Sequence, residues 1–330
     1  MGKTYPVIGV FCGGDTGEYI ISLRSAAMVM KALEDKPLKA YQVVVKGTRW
    51  EVHTEAGLVP LDKNDFSFSH PQTGEKIKLQ AVYNIIHGSP GEDGRLQAWL
   101  DMAGMPYTGC GYRTSLITMN KHLCKQMLQG LALHLAEGVL IRRNMPYDEA
   151  AILNRCGLPL MVKPCNGGSS LGTHKVKAPD ALRPALEDAF RHDDEVLCEA
   201  FISGRELTCG VMRYQGELVT LPITEIISHR DFFDYAAKYE GASSEVTPAR
   251  LSETEASLIQ EKARLVYEAL QCRGIVRVDF ILTNAGEAYF LEVNTVPGFS
   301  EQSIIPQQLR AAGYREGDVL YELIRETIQE

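Results

Sequence analysis

Two runs near the C-terminal end limit the fold more than any other part of the chain. Gly274-Ile-Val-Arg-Val-Asp-Phe-Ile-Leu-Thr283 and Glu287-Ala-Tyr-Phe-Leu-Glu-Val-Asn-Thr295 have the alternating character of half-buried strands, with Asn284-Ala285-Gly286 between them. Such a pattern closes into an antiparallel hairpin. With Ala285-Gly286 as a two-residue loop and Asn284 facing Glu287, Asp279 lies opposite Glu292 and Arg277 opposite Asn294, all on one face. A three-residue loop would break that register. Val276, Val278, Leu291 and Val293 are expected to bury the other face. Two carboxylates and an amide on one sheet surface make an oxygen-rich site, the sort Mg²⁺ takes when it also holds phosphates. The plainer reading is an exposed strand face with an Arg–Asp pair, and the apolar opposite face weighs against it.

Upstream, strand and helix signals alternate. Val7–Phe11 reads as a strand ending at Gly13-Gly14, and Leu23, Ala26, Ala27, Met30 and Leu33 recur at helical spacing. Tyr41–Val45 and Ala81–Ile86 are further strands, the last stopping at His87-Gly88. This alternation implies an α/β region with a parallel, doubly wound sheet, whose ligands sit beyond the carboxyl ends of its strands. The polar segment Arg49–Lys78 looks like an excursion from that sheet. Downstream, Thr114–Gln129 reads as helix, Leu158–Lys163 as strand, Asp180–Phe190 as helix and Glu195–Phe201 as strand. Strand-like sequence follows at Glu206–Tyr214 and Glu217–Ile227, then a helix over Glu253–Gln271 opened by a Ser252-x-x-Glu255 capping box.

A chain of 330 residues suits two or three domains. Its formal net charge of −8 argues against nucleic acid or an anionic membrane surface as the main partner. No apolar run approaches the ~20 residues that span a bilayer. The first residues lead into a strand rather than a cleaved signal segment, so a cytoplasmic location is expected. The eight cysteines include no C-x-x-C pair, which disfavours a zinc or redox motif and leaves structural thiols as the default.

Two loops add chemistry. In Val162-Lys-Pro-Cys-Asn-Gly-Gly-Ser-Ser-Leu-Gly172 a lysine at a strand end precedes small residues whose amides suit phosphates. It lacks the G-K-[ST] ending of a Walker A loop and on its own equally describes a mobile turn. In Ile86-His-Gly-Ser-Pro-Gly-Glu-Asp-Gly94 the acidic pair suits the start of a helix over Arg95–Met102. His87 there equally suits a hydrogen-bonded structural role.

Together these motifs resemble the bacterial D-alanine–D-alanine ligases, over nearly the whole chain from Gly13-Gly14 and Ser22-Leu23-Arg24-Ser25 to Pro306. His87-Gly-x-x-Gly-Glu-Asp-Gly94, Lys163-Pro-x-x-x-Gly-Ser-Ser-x-Gly172, Phe233-Asp-Tyr-x-x-Lys-Tyr239 and Leu291-Glu-Val-Asn-Thr-x-Pro-Gly298 are specific as a set. The resemblance implies an ATP-grasp fold: an N-terminal doubly wound domain at 1–109, a central ATP-grasp subdomain at 110–202, and a C-terminal one at 203–330 with the metal and substrate site. Lys121 and Lys163 match lysines that hold ATP phosphates. Glu199, Ala200, Phe201 and Ile202 match the segment bordering adenine, with Ala200 in place of a common lysine. Glu206 matches the acid on the ribose hydroxyls. Phe232 and Lys238 complete the ATP side, Lys238 near the γ-phosphate on a closing loop. Asp279, Glu292 and Asn294 match ligands for two Mg²⁺ ions, or Mn²⁺. Arg277 and the Gly298 amide match the oxyanion donors. His87, Ser169 and Tyr239 belong to the D-alanine side, and Ser303 and Ile304 lie where the second D-alanine is held.

One position departs from the pattern. Where a glutamate two residues before the Ser-Leu pair would bind the first ammonium, this chain has Ile20. Glu18 is expected to supply the carboxylate, because an unpaired ammonium in a closed site is costly. A water shell or a different first substrate are the other readings. The resemblance implies D-Ala-D-Ala synthesis for peptidoglycan precursors, and a homodimer. D-Ala-D-Ser, another ATP-grasp amino-acid ligation, or an inactive nucleotide-binding regulator are the alternatives. Tyr235-Ala-Ala-Lys238-Tyr239 keeps a pattern that depsipeptide-forming relatives lose, which disfavours D-lactate.

Overall fold

The computed structural model describes residues 5–168, 171–228 and 243–329. Three sheets organise the chain. The first runs in the order Gly57–Pro60, Arg49–Thr54, Lys39–Lys46, Val7–Gly13, Ala81–Asn84. The last three strands of that order are parallel, as the alternating pattern requires. The other two are antiparallel, so the expected excursion rejoins the sheet at its edge. The apolar residues inside that polar segment explain this: Val52, Phe66 and Phe68 are buried with Phe11 and Leu100. The helix Tyr19–Leu33 buries Ala26, Val29 and Leu33, and the last helix, Glu316–Gln329, packs against it. The chain's C-terminal end thus completes the core of its first sheet.

The second sheet is antiparallel, in the order His174–Val176, Leu160–Pro164, Glu195–Ala200, Gly138–Arg142. Helices Glu149–Cys156 and Leu182–Ala189 cover it, the first capped by Asp148, whose carboxylate accepts from the Ala150 and Ala151 amides. The third sheet runs Ser243–Val246, Thr224–Ser228, Arg205–Tyr214, Ile275–Leu282, Ala288–Asn294, His134–Leu135. Glu217–Thr220 attaches beside Arg205–Tyr214. Helix Glu253–Ala269 packs on this sheet and carries the expected capping box. The single helix expected at 114–129 is two, Tyr112–Met119 and Lys121–Leu128. Asn120 is extended at the break, and its side chain caps the second helix through the Leu123 amide. The first packs on strand Ala288–Asn294 of the third sheet, and the second on helix Glu253–Ala269.

The hairpin departs from expectation twice, and the departures cancel. Thr283 pairs with Glu287, and Asn284-Ala285-Gly286 forms a three-residue loop with Gly286 at φ +79°. That backbone angle favours glycine. Continued regularly, this register sets Asp279 against Leu291. A bulge between Asp279 and Phe280 skips Leu291 and restores Asp279 opposite Glu292 and Arg277 opposite Asn294. Leu291 is therefore half-buried and faces a cleft, instead of joining the core with Val293.

Candidate functional site

A cleft of about 820 Å³ is lined by residues of the second and third sheets. From the second-sheet side come Lys163, Glu199, Ala200, Phe201 and Ile202, with Lys121 from the neighbouring helix. From the third come Glu206, Arg277, Asp279 and Glu292, while Ile304 and Glu18 enter from other elements. Asn294 lies in a narrower recess with Glu18, Glu92, Arg277 and Glu292. Ser169, Phe232, Lys238 and Tyr239 lie outside the described residues.

Register explains the third-sheet wall. Thr208 stands opposite Asp279 and Gly210 opposite Arg277, so Glu206, Thr208 and Gly210 share the face of the metal-type residues. The Arg277 guanidinium holds Asp279 through two contacts, Nε to Oδ1 at 2.9 Å and Nη2 to Oδ2 at 2.8 Å. Burial opposes the Arg277 charge, and the Asp279 and Glu292 carboxylates outweigh it, so its pKa is raised. Burial, then the charges of Asp279 and Glu292, push the Glu206 carboxyl up to about 7. In the ligand-free protein, Glu206 contributes stability below its ordinary value of 4.5 that is lost as pH rises through about 7. Glu206→Gln is expected to flatten that fall and raise the alkaline-side Tm by about 5 °C. Melting curves across this range would show it, and an unchanged slope counts against the account.

The opposite wall is cationic. Lys125 Nζ donates to Glu199 Oε2 at 2.7 Å and to the Ala136 carbonyl at 2.7 Å, and Lys163 grips the other Glu199 oxygen. Burial pushes the Glu199 carboxyl up, but the two lysines outweigh it and hold it at about 2. Lys125 escaped sequence reasoning. Its signal was the i, i+4 spacing from Lys121, which sets both on one helix face. Lys121 Nζ donates to the Gly167 carbonyl at 2.7 Å and its amide to the Cys165 carbonyl at 2.9 Å, tying the helix start to the glycine-rich loop. Lys175, also missed, places its ammonium 3.5 Å from the centre of the Phe201 ring.

His87 is 4% exposed, with Nδ1 2.9 Å from the Val296 carbonyl and Nε2 2.9 Å from Ser25 Oγ. A carbonyl only accepts, so Nδ1 carries a proton. Ser25 Oγ also accepts from the Phe299 amide at 3.2 Å. His87 thus braces the loop that carries Gly298. A Cβ on Gly298 would come within 3.0 Å of Ser303 Oγ, which itself accepts from the Ser300 amide at 2.9 Å. Glu92 folds back to accept from the Gly88 amide at 2.6 Å, whereas Asp93 meets the helix start through the Arg95 amide at 3.2 Å.

Ile20 is 54% exposed and does not line the cleft, so its side chain leaves no gap there. Glu18, at the start of the same helix, faces the cleft, and a Cβ on Gly168 would lie 3.8 Å from both its oxygens. The eight cysteines are all buried and free. Among the described residues no three His, Cys, Asp or Glu side chains gather to hold a metal, and no helix is long and apolar enough to cross a membrane.

The donor chemistry nevertheless fits a divalent cation that brings other ligands with it. Asp279, Glu292 and Asn294 supply oxygen, and a hard cation such as Mg²⁺ is held by few carboxylates plus phosphate and water. Burial first, then the Asp279 and Glu292 charges, raises Glu206, so a cation on this face would relieve the electrostatic part. The fully buried Thr208 hydroxyl, opposite Asp279, has no protein partner and leaves a hydrogen-bonding group unspent beside it.

Comparison with known proteins identifies a family for the whole chain. Residues 7–110 match the family model described as D-ala D-ala ligase N-terminus, and residues 129–325 match the D-ala D-ala ligase C-terminus. A D-alanine--D-alanine ligase of Porphyromonas gingivalis is 44% identical over 327 residues, 98% of each chain. One of Phocaeicola vulgatus is 42% identical over 318 residues, 96% of this chain and 98% of that protein. Among solved structures, D-alanyl-alanine synthetase A from Vibrio cholerae superposes with a TM-score of 0.88 at 31% identity, covering 100% of both chains. The VanG D-Ala:D-Ser ligase from Enterococcus faecalis gives 0.85 at 31% identity, covering 98% of this chain and 99% of that one.

Proposed function

Since the chain belongs to the D-alanine–D-alanine ligase family, we propose that its cleft is where ATP drives the joining of two D-alanines, releasing ADP and phosphate, for peptidoglycan precursor synthesis. The observation that carries the reading is the restored hairpin register, which sets Arg277, Asp279, Glu292 and Asn294 on one strand face, the first three lining the cleft with Lys121 and Lys163 and Asn294 the adjoining recess. An inactive nucleotide-binding regulator has no need of an oxyanion donor such as Arg277.

A carboxylate is a poor electrophile. The first D-alanine's carboxylate therefore attacks the γ-phosphorus of ATP, ADP leaves, and an acyl phosphate forms. The second D-alanine's ammonium gives a proton to solvent, its amine attacks the acyl carbon, and phosphate departs with the electron pair of the C–O bond as the nitrogen gives up a further proton. Asp279, Glu292 and Asn294 would hold two Mg²⁺ ions, or Mn²⁺, whose charge offsets the repulsion between carboxylate and triphosphate. Lys163 exchanges its Glu199 contact for phosphate oxygens, while Lys125 keeps Glu199 ionised. Glu199–Ile202 border adenine and Glu206 receives the ribose. Arg277 and the Gly298 amide hold the tetrahedral oxyanion. His87 braces the Gly298 loop, and Ser303 and Ile304 hold the second D-alanine. On the motif resemblance, Phe232 and Lys238 belong to the ATP side, Lys238 with the γ-phosphate, and Ser169 and Tyr239 to the D-alanine side; excluding water from the acyl phosphate protects it from hydrolysis.

Glu18 takes the ammonium of the first D-alanine, a role supported by its place beside Gly168. Glu18→Gln is expected to raise the first-site D-alanine requirement roughly 10–100-fold, the loss of one charge-assisted hydrogen bond. Unchanged first-site kinetics would remove Glu18 from the mechanism.

The cheapest test of the function mixes the protein with ATP, Mg²⁺ and either D-alanine, D-serine or both. Phosphate release with D-alanine alone, matched by D-Ala-D-Ala, is the expected result. Release only when D-serine is added shifts the second substrate, and release with neither removes the ligase reading. We also propose the partition 1–109, 110–202 and 203–330, a cytoplasmic location suited to an ATP-consuming enzyme, and a homodimer, which light scattering would detect.

A further inference from the structure

Ser303 and Ile304 sit at the start of the eight-residue helix Ile304–Ala311, and something must set the distance from that helix to Arg277 and Asp279. The apolar contacts of Ile305 and Leu309 with Met212 and Leu221 hold the helix down, but such packing has little directionality. Ser303 Oγ does not cap the helix. It bonds instead to the Ser300 amide at 2.9 Å and the Ser300 hydroxyl at 2.8 Å. The directional link comes from Gln308, one turn beyond Ile304 on the same face and fully buried.

The strand Arg205–Tyr214 explains what Gln308 does. Residues 206–208 pair with 224–226, and residues 211–214 pair with 217–220. At the junction the neighbouring chain turns away. Leu221 supplies an amide to the Gly210 carbonyl at 2.8 Å. The Gln308 carboxamide then acts as a strand residue would: its Oε1 accepts from the Gly210 amide at 3.0 Å, and its Nε2 donates to the Thr208 carbonyl at 3.0 Å. Nε2 also donates to Thr224 Oγ1 at 3.1 Å. Glycine at 210 is required by this contact, because a Cβ there would lie 2.6 Å from Gln308 Oε1 and 2.8 Å from Ile305 Cδ1. The two residues Gln308 grips are those opposite Asp279 and Arg277 in the next strand.

We propose that Gln308 is a positioning residue for the second substrate: by bridging Thr208 and Gly210 it fixes Ile304, which lines the cleft, and the adjoining Ser303 against the strand pair that carries Arg277 and Asp279. The inference rests on the ligase reading and adds to it the group that sets the spacing between amine and acyl phosphate. Displacements of ~1 Å at such a distance cost up to ~10²-fold in rate, so a polar tie is worth more here than its own hydrogen bonds.

The test compares the full-length wild type with Gln308→Leu. ATP binding without D-alanine is measured by calorimetry. D-alanine saturation is followed by both phosphate and dipeptide at saturating ATP and Mg²⁺. The expected result is ATP affinity within ~2-fold, a second-site D-alanine KM raised ~10-fold, and more phosphate released per dipeptide as misplaced amine loses the acyl phosphate to water. A change that falls equally on ATP and both D-alanine phases, with phosphate and dipeptide still matched, marks a merely structural residue and overturns the proposal. So does an unchanged second-site KM. If Gln308→Leu does not fold, Gln308→Met, which keeps the length of the side chain without its hydrogen bonds, takes its place, and the same results support or overturn the proposal. Wild-type silence toward D-alanine is a different failure: it overturns the ligase reading, and this assignment with it.

Discussion

Arg277→Met is expected to lower kcat by roughly 10²–10³-fold, the usual loss when one oxyanion donor is removed. The guanidinium is well shielded, with 13% of its side chain exposed, and it is bidentate on Asp279. Methionine fills similar space without charge, so the change reads electrostatics more than packing. A second consequence follows from the same geometry. Asp279 loses its bidentate partner and Glu292 a nearby cation, and removing one partner of a buried pair typically costs about 3–5 kcal/mol. Ligand-free Arg277→Met is therefore expected to melt well below wild type. Added Mg²⁺ is expected to raise the variant's Tm more than the wild type's, because a cation can take over the neutralisation that Arg277 supplied. Steady-state kinetics and melting with and without Mg²⁺ check both halves. A kcat within ~3-fold of wild type would remove Arg277 from the chemistry.

Glu199→Gln is the second large effect, and it lies on the opposite wall. Two buried ammonium groups share this one carboxylate, and their combined pull overcomes burial to hold it at about 2. The amide removes the carboxylate that both lysines contact directly, at a cost of about 3–5 kcal/mol. The pH dependence separates this from a packing defect. A depressed carboxyl contributes stability above its ordinary value of 4.5, lost as pH falls through about 2. The wild-type minus variant gap should thus be full at neutral pH and shrink in acid. Weaker ATP binding, by ~10-fold, is expected as well, since the neutral amide no longer offers an acceptor-only edge at the adenine end. A gap constant with pH would refute the charge argument.

Much of the site was legible because it lies in strands, where side chains alternate with a period of two. Asp279, Glu292, Arg277 and Asn294 were placed on one face from spacing alone, and they share it. Spacing implies a two-residue loop and a regular ladder, whereas the chain reaches the same pairing through a three-residue loop and a bulge. A bulge is invisible to periodicity because it conserves composition and shifts only the count. Leu291 shows the consequence, reading as core and lying in the cleft. Ile20 shows the converse. A motif match flagged it as a missing glutamate, but its helix turns it to solvent and sets Glu18 toward the cleft.

The chain's own residues determined the secondary elements, the glycine-rich loop, the capping box and the oxygen-rich strand face, because each depends on neighbours within a few positions. Tertiary structure alone decided which distant groups meet. Lys125 and Lys163 are joined by Glu199, 74 and 36 residues away. Gln308 reaches Gly210 and Thr208 across 98 and 100 residues. No spacing rule encodes such contacts, since they exist only once burial has made an unpaired lysine, carboxylate or amide too costly to leave alone.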